Sequence, residues 1–129
     1  AHGKRWHLNL HSMPSNAYKR LGLPEGKVLA DVVLGNLRGA ACSEAFTAFM
    51  AQAFQARGYT VAINDPYVGM DLLVAHGDPS QHHESLQIEL NRALYLDEHT
   101  REPLPQFGKV QADISSLLVE LASYIQQQL

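Results

Sequence analysis

Trp6, Leu8 and Leu10 alternate with His7, Asn9 and His11. A period of two puts the first set on one face of a strand and the second on the other. The alternation returns over residues 85–91, where Leu86, Ile88 and Leu90 share one face and Gln87, Glu89 and Asn91 the other. Residues 31–34, ending at Gly35, form a short apolar run that suits a buried strand, and residues 59–63 form another. Between these runs, Phe46, Phe49, Met50, Ala53 and Phe54 recur at helical spacing, behind Ser43 as a cap and ahead of Gly58 as a stop. Strand, helix and strand in that order predict a parallel pair joined by a right-handed crossover. Residues 12–30, with Pro14, Gly22, Pro24 and Gly26, read as a long loop, as do residues 64–84, rich in Asn, Asp, Pro, Gly and His. Beyond Pro103 and Pro105, a final helix carries the stripe Val110, Ile114, Leu117, Leu118, Leu121 and Ile125. The sum is a three-layer α/β/α architecture with a mixed sheet, read as one domain over residues 1–129 without a dividing linker.

Composition narrows the class. Hydrophobic residues are 46% of the 129 and charged residues 18%, enough to close one core and unlike a disordered segment. The net charge is -3 and no basic run exceeds a pair, which argues against nucleic acid as a partner. No stretch is apolar for long enough to span a bilayer and no secretory signal opens the chain, so a soluble protein without a membrane partner is expected. The lone cysteine, Cys42, cannot close an internal disulfide and points to a reducing, cytoplasmic setting. The oligomeric state is not legible.

The seven histidines are scattered. If the two alternating strands are near neighbours, His11 and Glu89 point into one cleft, and imidazole and carboxylate are the groups that bind zinc or move protons. The bland alternative is that the two polar rows are wet faces of antiparallel edge strands. Asn64 and Tyr67 follow the third strand, and open α/β sheets bind ligands beyond the carboxyl ends of their strands. Turn chemistry explains an Asn-Asp-Pro-Tyr run equally well. His99 and Glu102 have the spacing of some zinc ligands, but a proline follows and chance accounts for them. His82 and His83 read as a surface pair. Cys42 precedes a helix, where a thiolate is favoured, although a small buried residue is the simpler reading. There is no phosphate loop and no nucleophile elbow.

Four blocks taken together resemble the N-formylglutamate amidohydrolase family. They are Asn9-Leu10-His11-Ser12-Met13-Pro14; Asp31-Val32-Val33-Leu34-Gly35-Asn36-Leu37-Arg38-Gly39 with Cys42 after it; Gly58-Tyr59 through Asn64-Asp65-Pro66-Tyr67 and Gly69; and Leu86-Gln87-Ile88-Glu89-Leu90-Asn91-Arg92 with Leu94-Tyr95-Leu96-Asp97-Glu98. They stand in the family's order. The family is in turn distantly similar to the zinc carboxypeptidases, a phosphorylase/hydrolase-like fold in which a strand-ending His-Ser supplies a zinc ligand and a later Glu-Leu-Arg supplies the base.

The resemblance implies a zinc-dependent amidohydrolase that cleaves N-formyl-L-glutamate to formate and L-glutamate, a late step of histidine breakdown. It gives His11 to the metal and Glu89 to proton transfer, with Zn²⁺ lowering the pKa of its water to about 7. Arg92 and Arg38 become candidates for the substrate's carboxylates, and Asn64 and Tyr67 orient the rest. Asn9, Ser12 and Gln87 support the metal ligand and the base. Asn9 stands where the family has Asp, residues 36–42 are looser than the family's pattern, and Met70 replaces a common glycine. A catalytic zinc needs three protein ligands, so the stretch reads as a C-terminal fragment, inactive alone, whose remaining ligands lie in an N-terminal part. A related zinc peptidase or N-acylamino-acid deacylase, or a non-catalytic domain of the same fold, stays open.

Overall fold

The computed structural model describes residues 3–129; Ala1 and His2, the second the first of the seven histidines, lie outside the described residues. The chain divides into two compact units, residues 1–91 and 92–129.

The first unit is built on a mixed sheet of four strands, β1 (Arg5–Met13), β2 (Val32–Gly35), β3 (Val61–Ile63) and β4 (His83–Asn91), in the order β1-β4-β2-β3. This is the α/β class with a mixed sheet that the hydrophobic pattern predicts. Strands β2 and β3 are parallel, as their connection through a helix requires. Strand β4 lies between β1 and β2, parallel to the first and antiparallel to the second. The reading of the two polar rows as antiparallel wet edges therefore fails. β1 is an edge strand, but it pairs with β4 in parallel, and β4 is buried from Ser85 to Leu90 on both faces.

Three helices accompany this sheet. Helix α1 (Ala17–Arg20) and helix α3 (Asp71–His76) fall in segments that the sequence reads as loop. Each is too short to display a repeating apolar stripe, and each is set among glycines and prolines. Helix α2 (Glu44–Ala56) is the one the spacing predicts. Ser43 Oγ accepts from the Phe46 amide, Phe46, Met50, Ala53 and Phe54 are buried, and Gly58 follows at φ +90°. Phe46 and Met50 of α2, with Val32, Val33, Leu34 and Leu86 of the sheet, are among the least exposed side chains of this unit.

The second unit opens with a 3-10 turn, Arg92–Leu94, and ends with helix α4 (Phe107–Gln128). Of the predicted stripe, Val110, Leu117 and Leu121 are buried, while Leu118 is exposed. His99 and Glu102 fall on an exposed turn in which the Asp97 carboxylate accepts from the amides of His99 and Thr100. Among the described residues no helix is long and apolar enough to cross a membrane.

Candidate functional site

The register between β1 and β4 decides the site. His7 pairs with Ser85, Asn9 with Gln87, and His11 with Glu89. Directly paired residues of neighbouring strands point to the same side of a sheet, so all six side chains form one polar field. His11 and Glu89 therefore converge on a common face.

Contacts run along this field. His7 Nδ1 lies 2.8 Å from Ser85 Oγ. Asn9 Nδ2 donates to Gln87 Oε1 at 3.3 Å, and Gln87 Nε2 donates to Glu89 Oε1 at 2.9 Å. Ser85, Gln87 and Glu89 are buried, and no buried side-chain nitrogen or oxygen among the described residues lacks a partner. The sequence leaves Asn9 as a support for His11; the structure gives its amide to Gln87 instead. His11 is exposed.

The connection after β3 covers part of this face. Gly35 pairs with Gln87 and so faces the same way. A Cβ on Gly35 would stand 2.7 Å from the carbonyl carbon of Val68 and 2.8 Å from the Gly69 nitrogen. The Leu37 amide donates to Val68 O at 2.7 Å. From there the chain reaches helix α3, and Met70, Asp71 and Leu72 join Asn9 and His11 in lining an open cleft of about 390 Å³. At the far end of α3, His76 packs its ring on His7 with centroids 4.5 Å apart. The sequence places His7 on the polar face but offers nothing that pairs it with a histidine in a segment read as loop.

Arg38 and Asn64 do not join this cleft. They line a second one, of about 450 Å³, with Asn36, Gly39, Glu44, Thr47, Ala48 and Ile63. Ile63 stands in the row of Leu34 and Ile88, on the face opposite Glu89. The expectation for Asn64 and Tyr67 assumes that all strands present their carboxyl ends together. Because β2 and β3 run against β1 and β4, their carboxyl ends open at the other end of the sheet. Asn64, at φ +57°, is engaged with Asn36: its Oδ1 accepts from the Asn36 amide at 3.0 Å and its Nδ2 donates to Asn36 Oδ1 at 2.8 Å. Tyr67 sits in the segment that crosses toward Gly35, Ser12 lies next to His11 in β1, and Arg92 belongs to the second unit.

Cys42 and His7 have shifted acidities. Cys42 is fully buried, and desolvation pushes its thiol up to about 12, against a hydrogen bond from Thr47. That settles its two readings in favour of a small buried residue. His7 is held below its ordinary 6.5, first by desolvation and then by the neighbouring His76. The unfolded chain thus takes up a proton at His7 more readily than the folded one. This contribution to stability is complete above about pH 6.5 and is lost as the pH falls through the lower folded value. Melting temperatures are expected to drop between pH 7.5 and 5.5, and His7→Gln, which keeps a partner for Ser85 without the charge, is expected to flatten the drop. Equal slopes for both proteins would contradict the assignment.

As a metal centre the described residues are short of ligands. No group of three His, Cys, Asp or Glu side chains among them could hold an ion, and a catalytic zinc site takes three protein ligands. His11 and Glu89 alone do not fit that requirement.

Comparison with known proteins extends the picture. The model of a family described as N-formylglutamate amidohydrolase matches residues 1–96. An N-formylglutamate deformylase of Pseudomonas aeruginosa is 35% identical over 71 residues, covering 54% of this chain and 27% of that protein. The crystal structure of N-formylglutamate amidohydrolase from Ralstonia eutropha JMP134 superposes with a TM-score of 0.94 at 42% identity, covering 98% of this chain and 45% of that one. The chain thus spans less than half the length of either relative.

Proposed function

Because the chain belongs to the N-formylglutamate amidohydrolase family, we propose that it forms part of an enzyme hydrolysing N-formyl-L-glutamate to formate and L-glutamate. One observation carries this reading. His11 and Glu89, each on the polar face of an alternating strand, are in-register neighbours on one face, beside an open cleft. In the proposed reaction Glu89 removes a proton from the attacking water and returns it to the departing amine. Its burial and its hydrogen bond from Gln87 favour a fixed carboxylate over a mobile one. Zinc belongs to the proposal for the whole protein: His11 would give one ligand, and the others would come from outside the described residues. A place in histidine breakdown and a cytoplasmic setting belong to the same proposal, the first through the family resemblance and the second through the lone buried thiol.

The whole protein carrying this chain is expected to release formate from N-formyl-L-glutamate, to stop after chelation of its metal, and to resume when zinc is returned. Turnover of other acyl or peptide amides, with none of the formyl substrate, would reassign it to a related peptidase or deacylase. No hydrolysis of any amide would leave a non-catalytic domain.

A further inference from the structure

We propose that Gln87 is a positioning residue for Glu89, held in its working orientation by Asn9. The proposal rests on the amidohydrolase reading and adds to it the means by which the base is aimed.

Gln87 is one of the least exposed side chains, at 1%, although it is polar and lies in the field beside the cleft. Burying an amide costs free energy unless its hydrogen bonds are made. Here both ends are used, Oε1 by Asn9 and Nε2 by Glu89. The direction of the chain of bonds follows from the carboxylate outward. An ionised carboxylate only accepts, so Gln87 must turn its NH₂ toward Glu89. Its carbonyl then faces Asn9, which can satisfy it only by donating. The carboxylate therefore sets which way the Gln87 amide points, Asn9 holds it there by donating to its carbonyl, and Gln87 in turn restrains Glu89 Oε1. Residues 87 and 89 share a face at i and i+2 on one strand, while Asn9 reaches across from the neighbouring strand. The arrangement ties the buried base to the residue beside His11 in the cleft wall. Leucine at position 87 would fill a similar space and supply no donor.

The test is the whole enzyme with Gln87→Leu, assayed for formate release from N-formyl-L-glutamate across pH. Partners one bond removed from a reacting group commonly carry about 10–100-fold in activity. We expect a loss of that size in kcat with KM little changed, and an acid limb of the kcat/KM profile moved to higher pH, because the carboxylate loses a donor to its charged form. A purely structural role would lower the amount of folded enzyme and leave the pH profile in place. Should Gln87→Leu fail to fold by circular dichroism, Asn9→Ala on the edge strand carries the same test, with a smaller loss in the same direction. Unchanged kcat and pH profile in an otherwise active enzyme would overturn the positioning role alone. Absence of hydrolysis in the unmodified enzyme would overturn the amidohydrolase reading and this inference with it.

Discussion

Glu89→Gln in the whole protein is expected to slow formate release by about 10²–10⁴-fold, the usual contribution of a positioned general base. The substitution is nearly isosteric, and its new Oε1 can still accept from Gln87 Nε2, so that hydrogen bond is preserved. The buried position loses a charge, which costs nothing in desolvation. Thermal unfolding is therefore expected to stay close to that of the parent while turnover falls. Formate release measured beside a melting curve separates the two effects. Undiminished turnover would remove Glu89 from proton transfer and favour a non-catalytic role for the polar field.

A second large effect is expected at Gly35, this time in stability. Any side chain there meets main chain: Val68 C at 2.7 Å, Gly69 N at 2.8 Å and Val68 O at 2.9 Å from the Cβ position. Backbone cannot swing aside as a side-chain tip can. Overpacking of this kind costs about 1–3 kcal/mol. In Gly35→Val the segment after Val68 would have to lift from the polar face, and that segment leads into Met70, Asp71 and Leu72, which wall the cleft beside His11. Chemical denaturation of residues 1–129 is expected to show the loss as a lower midpoint. In the whole protein, on the proposed hydrolase reading, the same substitution is expected to raise KM. A midpoint equal to the parent's would mean that residues 68–72 yield freely and do not shape the cleft.

The strands that carry the polar field are legible because alternation is a local signal. His7, Asn9 and His11 on one strand, and Gln87 and Glu89 on the other, are separated from their apolar neighbours by nothing more than the geometry of an extended chain. Helix α2 was legible for the same reason, with Ser43 and Gly58 marking its ends. Pairing is not a local property. Nothing in residues 83–91 states that β4 runs with β1 and against β2, and that single fact separates Asn64 and Arg38 from His11 and Glu89. Helix α3 leaves no periodic signal in the sequence because its six residues complete fewer than two turns, and the His7–His76 contact is hidden with it. The link from Asn9 to Gln87 also required the register, since a one-residue slip would have sent the two amides to opposite faces.

The offset between β1 and β4 is the same at every rung from Arg5↔His83 to Met13↔Asn91. The pairing of positions 11 and 89 is thus written into the main-chain ladder and does not depend on the loops that connect the elements between residues 14 and 82. Those loops are free to lengthen, shorten or change sequence over evolutionary time, and so to reshape the cleft, while positions 11 and 89 stay opposite each other.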